Sequence, residues 1–135
     1  MAKAPAKKRP TPRTAAYRKG IEIRKQLSGK RYGGQATALA ELAPDLEDML
    51  NEVVFGKVWG RPGLEIKMRS VAVIAALTSM QRLPQLKGHI ANGLNVGLSK
   101  EEIVEILIQM AFYAGVPAAV NAFQVAKEVF DAEDV

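Results

Sequence analysis

No cysteine occurs in this chain, and one histidine and one tryptophan stand among its 135 residues. The missing thiols exclude disulfides, thiolate metal sites, iron–sulfur clusters and cysteine-based redox or nucleophilic chemistry. A lone histidine excludes His-rich zinc and iron sites, leaving only carboxylate-bound Mg²⁺ or Ca²⁺ formally open. No apolar run reaches the roughly 18 residues of a membrane span. The basic N-terminus is not followed by an apolar stretch of about 7–15 residues, so no secretory signal is expected and the expected location is cytoplasmic. No phosphate-binding loop is present: Gly93-Leu-Asn-Val-Gly97 lies between helical segments and lacks a preceding strand.

What is present is divided by charge. Residues 1–31 hold 11 basic side chains and one acid, Glu22, whereas residues 32–135 hold 8 basic and 13 acidic ones. The formal +5 is therefore a basic leader on an acidic body, and it is a poor guide to partners. The leader offers only Tyr17 and Tyr32 as aromatics and no recognition module, so nucleic acid is not an expected partner.

Residues 1–13 are Pro/Ala/Lys/Arg without apolar periodicity and read as a disordered tail. Residues 14–135, with 48% hydrophobic residues overall, read as one domain able to bury a core. That domain reads as all-α, with about six helices. The first carries Ala16, Ile21, Ile23 and Leu27 and closes at Ser28-Gly29. Pro44 with Asp45, Glu47 and Asp48 opens the second. Gly56 to Gly63 (GKVWGRPG) reads as a loop whose glycines expose Trp59. The next helix, about Leu64 to Gln81, is nearly all apolar after Arg69, which predicts burial on most sides or a subunit interface. Pro84 opens the helix that carries His89, Ser99-Lys-Glu-Glu102 is a capping box, and Gly115-Val-Pro117 starts the last helix.

His89 carries the only side chain with an ordinary pKa near neutrality, and it reads either as a core histidine or as an acid–base group. Arg61 and Arg69 flank the Trp59 loop and could grip an anion through forked hydrogen bonds. For Arg69 the competing reading is an ion pair with Glu65. Trp59 is either a packing residue or a ligand wall. Glu101, Glu102 and Glu105 read as a capping turn and a solvated face.

Phe55-Gly-Lys-Val-Trp-Gly-Arg-Pro-Gly-Leu64 with Lys67 and Arg69-Ser70, then Leu86-Lys-Gly-His89, Gly97-Leu-Ser-Lys-Glu-Glu-Ile103 and Tyr113-Ala-Gly-Val-Pro-Ala-Ala119, resembles the carboxymuconolactone decarboxylase family. The likeness spans residues 55–130 in order, and residues 30–50 depart from it. The wider superfamily includes alkylhydroperoxidase D-like peroxidases with a CxxC before the histidine. Alignment on His89 puts Arg82 and Gln85 where those cysteines would stand, and the relay acid near Ser70. Without thiols, peroxidase chemistry is not expected.

The resemblance implies an alkylhydroperoxidase D-like helical fold, assembled as a homotrimer or homohexamer with sites near subunit contacts. It implies a carboxy-lyase without cofactor or metal, acting on a small anionic lactone or carboxylic acid in aromatic-acid catabolism. His89 would donate the proton, and Arg61, Arg69 and Trp59 would bind substrate. Gln109 or Tyr113 would hydrogen-bond the developing oxyanion. Two alternatives remain: a family member acting on a different small acid or lactone, and a non-catalytic oligomeric binding protein.

Overall fold

Helix follows helix wherever the apolar spacing allows it. A computed structural model describes residues 12–35 and 37–135, so residues 1–11 of the expected tail lie outside the described residues. The described residues form seven α-helices: α1 Ala15–Ser28, α2 Ala38–Leu42, α3 Pro44–Met49, α4 Ile66–Ser79, α5 Leu83–Asn95, α6 Lys100–Tyr113 and α7 Val116–Glu133. A π-helix, Leu50–Trp59, continues directly from α3. No strand occurs among the described residues. The fold is all-α, as the sequence pattern predicts.

The helix starts follow side-chain chemistry. The Thr14 hydroxyl accepts from the Tyr17 N–H at 3.0 Å and caps α1. Ser99 and Glu102 form the reciprocal capping box of α6, satisfying two donors that a helix start leaves unpaired. Pro44 occupies the first turn of α3. The short α2, capped by Thr37, carries no long apolar period and is the helix that the sequence pattern does not announce.

The segment from Gly56 also differs from its sequence reading. It is not loop until Gly60: the wide π-helix runs through Gly56 to Trp59. Gly56 permits close approach rather than a break. A Cβ there would collide with the Ala16 carbonyl oxygen of α1, and a Cβ on Gly20 would collide with the Asn51 carbonyl oxygen. The two helices thus cross backbone to backbone, and only glycine fits at both positions. π-helical turns are rare and are frequent at functional sites.

Packing divides into two clusters. The larger joins α4 to α7 through Ile74, Leu86, Ile90, Ile103, Leu107, Ala122, Ala126 and Val129. The smaller lies under α1 and the π-helix: Ile23, Leu27 and Trp59, with Val54, Phe55, Ile66, Val73 and Val96 against them. Asn95 ties α5 to α1 by donating to the Gln26 and Leu27 carbonyls at 2.8 and 3.1 Å, supplying partners to the open end of that helix. Helix α4 serves both clusters, burying Ser70, Ile74 and Thr78. It leaves one stripe exposed, Met68, Ala72, Ala76 and Ser79, and its other positions are buried or half-buried.

Candidate functional site

The residues Leu86, Ile90 and Gly93 turn one face of α5 into the large cluster. His89 sits off that face and meets Trp59 at the end of the π-helix. The two rings stack with centroids 6.1 Å apart and planes inclined by 19°. Phe55, four residues before Trp59 and so on the same side of a helix, extends the stack at 6.3 Å. Trp59 is only 7% exposed. The flanking glycines do not expose it, because the π-helix carries it inward before the chain turns at Gly60.

Burial pushes the His89 imidazolium below its ordinary value near 6.5, since an apolar surrounding disfavours the charged form. In the free protein the ring is therefore largely neutral at pH 7. Its Nδ1 is enclosed and has no hydrogen-bond partner among the described residues, and the same holds for the Ser70 hydroxyl. Ser70 lies between Ile66 and Val73 on α4, both packed against the Trp59 cluster. A buried polar atom without a partner costs about 1–3 kcal/mol. Both atoms retain hydrogen-bonding capacity.

After Trp59 the chain turns through Gly60–Gly63. Arg69 holds this turn from α4: its Nε donates to the Leu64 carbonyl at 3.1 Å and its Nη2 to the Arg61 carbonyl at 3.0 Å. This replaces the ion pair with Glu65, which does not form. Arg61 is exposed on the turn and has no salt-bridge partner among the described residues. The Arg69 guanidinium is thus spent on the backbone of the turn that follows Trp59, and the Arg61 residue is exposed on that turn.

Gln109 and Tyr113 are placed elsewhere. Gln109 lines a groove of about 720 Å³ between α4 and α6, with Met68, Val71 and Ala75. Val71 and Val73 are two residues apart, about 200° around a helix, so this groove is on the opposite flank of α4 from Trp59. Tyr113 is 80% exposed at the end of α6. Neither is hydrogen-bonded to His89 among the described residues. The glutamates behave as the sequence suggests: Glu102 accepts from the Ser99 N–H at 2.9 Å and from Lys67 at 3.0 Å.

Sequence reasoning did not single out Phe55 or Arg24. The four-residue spacing of Phe55 and Trp59 is a signal once that segment is known to be helical. Arg24 gives none, because its partners come from α3 and the π-helix. Among the described residues, no group of three or more His, Asp or Glu side chains could hold a metal ion, and no helix is long and apolar enough to cross a membrane.

The profile of the carboxymuconolactone decarboxylase family matches residues 44–128. A 4-carboxymuconolactone decarboxylase of Acinetobacter baylyi is 32% identical over 115 residues, 84% of this chain and 86% of that protein. An uncharacterized 15.0 kDa protein of Paracoccus denitrificans is 35% identical over 99 residues, 72% of this chain and 74% of that one. A nitrosuccinic acid decarboxylase of Metarhizium robertsii is 28% identical over 118 residues, 85% of this chain and 81% of that one.

Proposed function

Because the chain belongs to the carboxymuconolactone decarboxylase family, we propose that it decarboxylates a small dianionic acid without a cofactor, 4-carboxymuconolactone being the first candidate. The observation that carries this reading is the Trp59–His89 stack beside the Arg61–Arg69 turn, within the matched residues.

In 4-carboxymuconolactone the leaving carboxylate is attached γ to the lactone carbonyl, across a double bond. Breaking the bond to CO₂ sends its electron pair through that system onto the lactone oxygen, giving a dienolate. Protonation at the carbon next to the carbonyl completes the reaction to β-ketoadipate enol-lactone. The substrate is its own electron sink, so the protein has to bind two negative charges, desolvate one and deliver a proton.

Arg61 offers a free guanidinium for a carboxylate, and Arg69 fixes the turn from which it acts. Trp59 forms the apolar wall against which the leaving carboxylate sheds water. His89 donates the proton. Burial keeps it neutral in the free protein, and an arriving dianion favours the imidazolium again, so binding recruits the proton. A likeness to a nitrosuccinic acid decarboxylase supports a second reading within the same class. A nitro group, like a conjugated carbonyl, can take up the electron pair, so another small acid with a built-in acceptor is the alternative substrate.

The assay is CO₂ release by the purified protein from 4-carboxymuconolactone and from a panel of such acids. His89→Ala is expected to lower kcat by roughly 10²-fold or more on the true substrate. Unchanged turnover would remove His89 from the reaction.

We also propose that the protein works as a homo-oligomer, trimeric or hexameric. Ile108, Phe112, Tyr113, Val116 and Val120 are exposed on α6 and α7, an apolar patch of the kind that marks an interface. In that arrangement Gln109 and Tyr113 would serve a neighbouring copy's site. Light scattering should give a multiple of the 14.6 kDa chain, reduced by Phe112→Glu. A monomeric wild type would overturn this.

A further inference from the structure

Six side chains from four elements form one connected set. Glu47 of α3 accepts a hydrogen bond from the Arg24 guanidinium of α1 at 2.6 Å, and Asn51 of the π-helix accepts a second at 2.7 Å. The same guanidinium lies 5.3 Å from the centre of the Phe55 ring. Phe55 stacks on Trp59, and Trp59 on His89. Resting on the reading of His89 as proton donor, we propose that Arg24 is a positioning residue: through Phe55 it sets the placement of the Trp59–His89 pair for decarboxylation.

Arg24 suits this task. Its side chain is 28% exposed and that of Glu47 21%, so both are largely withdrawn from solvent competition. Two acceptors hold the planar guanidinium in one orientation, and a cation over an aromatic face is attracted to it. Asn51, one of those acceptors, is itself only 3% exposed. The crossing of α1 and the π-helix does not depend on this contact, because Gly20, Gly56, Ile23 and Leu27 already bring the two together. The two hydrogen bonds from Nη1 add control over where the Phe55 ring sits, and hence over the next two rings. It also gives α3 a route to the site: Glu47, which lies within the residues that the family profile matches, reaches the aromatic rings through Arg24.

The chain supplies its own probe. Trp59 is the sole tryptophan and His89 the sole histidine, and a protonated imidazole in contact with an indole quenches its fluorescence. The experiment compares wild type, Arg24→Met, Glu47→Gln, Phe55→Leu and Phe55→Tyr in the substrate-free full chain. It records Trp59 emission against pH, then kcat and KM for CO₂ release, with far-UV circular dichroism to establish folding. Arg24→Met and Phe55→Leu are expected to displace the emission and its pH midpoint, and to lower kcat by roughly 10- to 100-fold with less change in KM. Phe55→Tyr keeps the ring and should restore both. Glu47→Gln, the gentler variant should Arg24→Met fail to fold, should move both readouts in the same direction. An active wild type beside a folded Arg24→Met with unaltered emission profile and kcat overturns the proposal, as does displaced emission with unaltered kcat. Displaced emission together with a wild type inactive on every acid tested leaves the geometry standing and overturns the decarboxylase reading instead.

Discussion

The two packed clusters of this protein use similar means to opposite ends. The cluster of α4–α7 is mostly aliphatic and closed: Ile74, Leu86, Ile90, Ile103 and Leu107 are fully buried. The cluster under α1 and the π-helix is smaller and holds the Phe55 and Trp59 rings of the aromatic stack, with the His89 ring against Trp59 and the unpaired Ser70 hydroxyl on α4. The first gains stability from apolar contact. The second gives up part of that gain by enclosing polar groups without partners, which is how a site comes to have capacity for a ligand. Stability and chemistry are therefore carried by different halves of one short chain, with α4 shared between them.

A cavity in the first cluster tests that division most severely. Leu107→Ala removes a fully buried side chain and should destabilise the fold by about 2–5 kcal/mol, because the surroundings collapse only partly. Denaturant unfolding measures this. Turnover per folded molecule should be unaltered if the halves are separate. A Leu107→Ala protein that keeps its stability, or loses kcat while folded, breaks the comparison.

The large cluster was legible in the sequence and the small one only in part. Apolar residues three and four apart announce α5, α6 and α7, and the serine–glutamate spacing announces the start of α6, because these are local periodicities. Trp59, His89, Arg61 and Arg69 were legible as candidates through their order along the chain. The π-helix was not, since glycines that permit helix crossing look in sequence like glycines that break a helix. Nor was the Arg24–Glu47–Asn51 contact, which joins residues 23 and 27 positions apart with no pattern to mark them. The sequence could not show that Gln109 and His89 lie on opposite flanks of α4, for that depends on how three helices pack.

A subtler separation of the two clusters comes from the pH dependence of stability. Burial holds His89 below its ordinary value near 6.5 in the folded protein, while the unfolded chain takes up a proton at about 6.5. Between the two values the unfolded state binds more protons, so stability is complete above pH 6.5 and declines as pH falls toward the lowered value. Glu102 has the same sign in a lower window: the Ser99 N–H, then Lys67, hold its carboxyl below the ordinary value of 4.5. Its contribution is lost only as pH falls through the carboxylate range. Unfolding curves at closely spaced pH values should therefore show a slope just below 6.5 in wild type that is absent from His89→Gln, while the more acidic slope persists in both. If the slope below 6.5 survives in His89→Gln, the histidine is not paying for its burial, and the small cluster is no more strained than the large one.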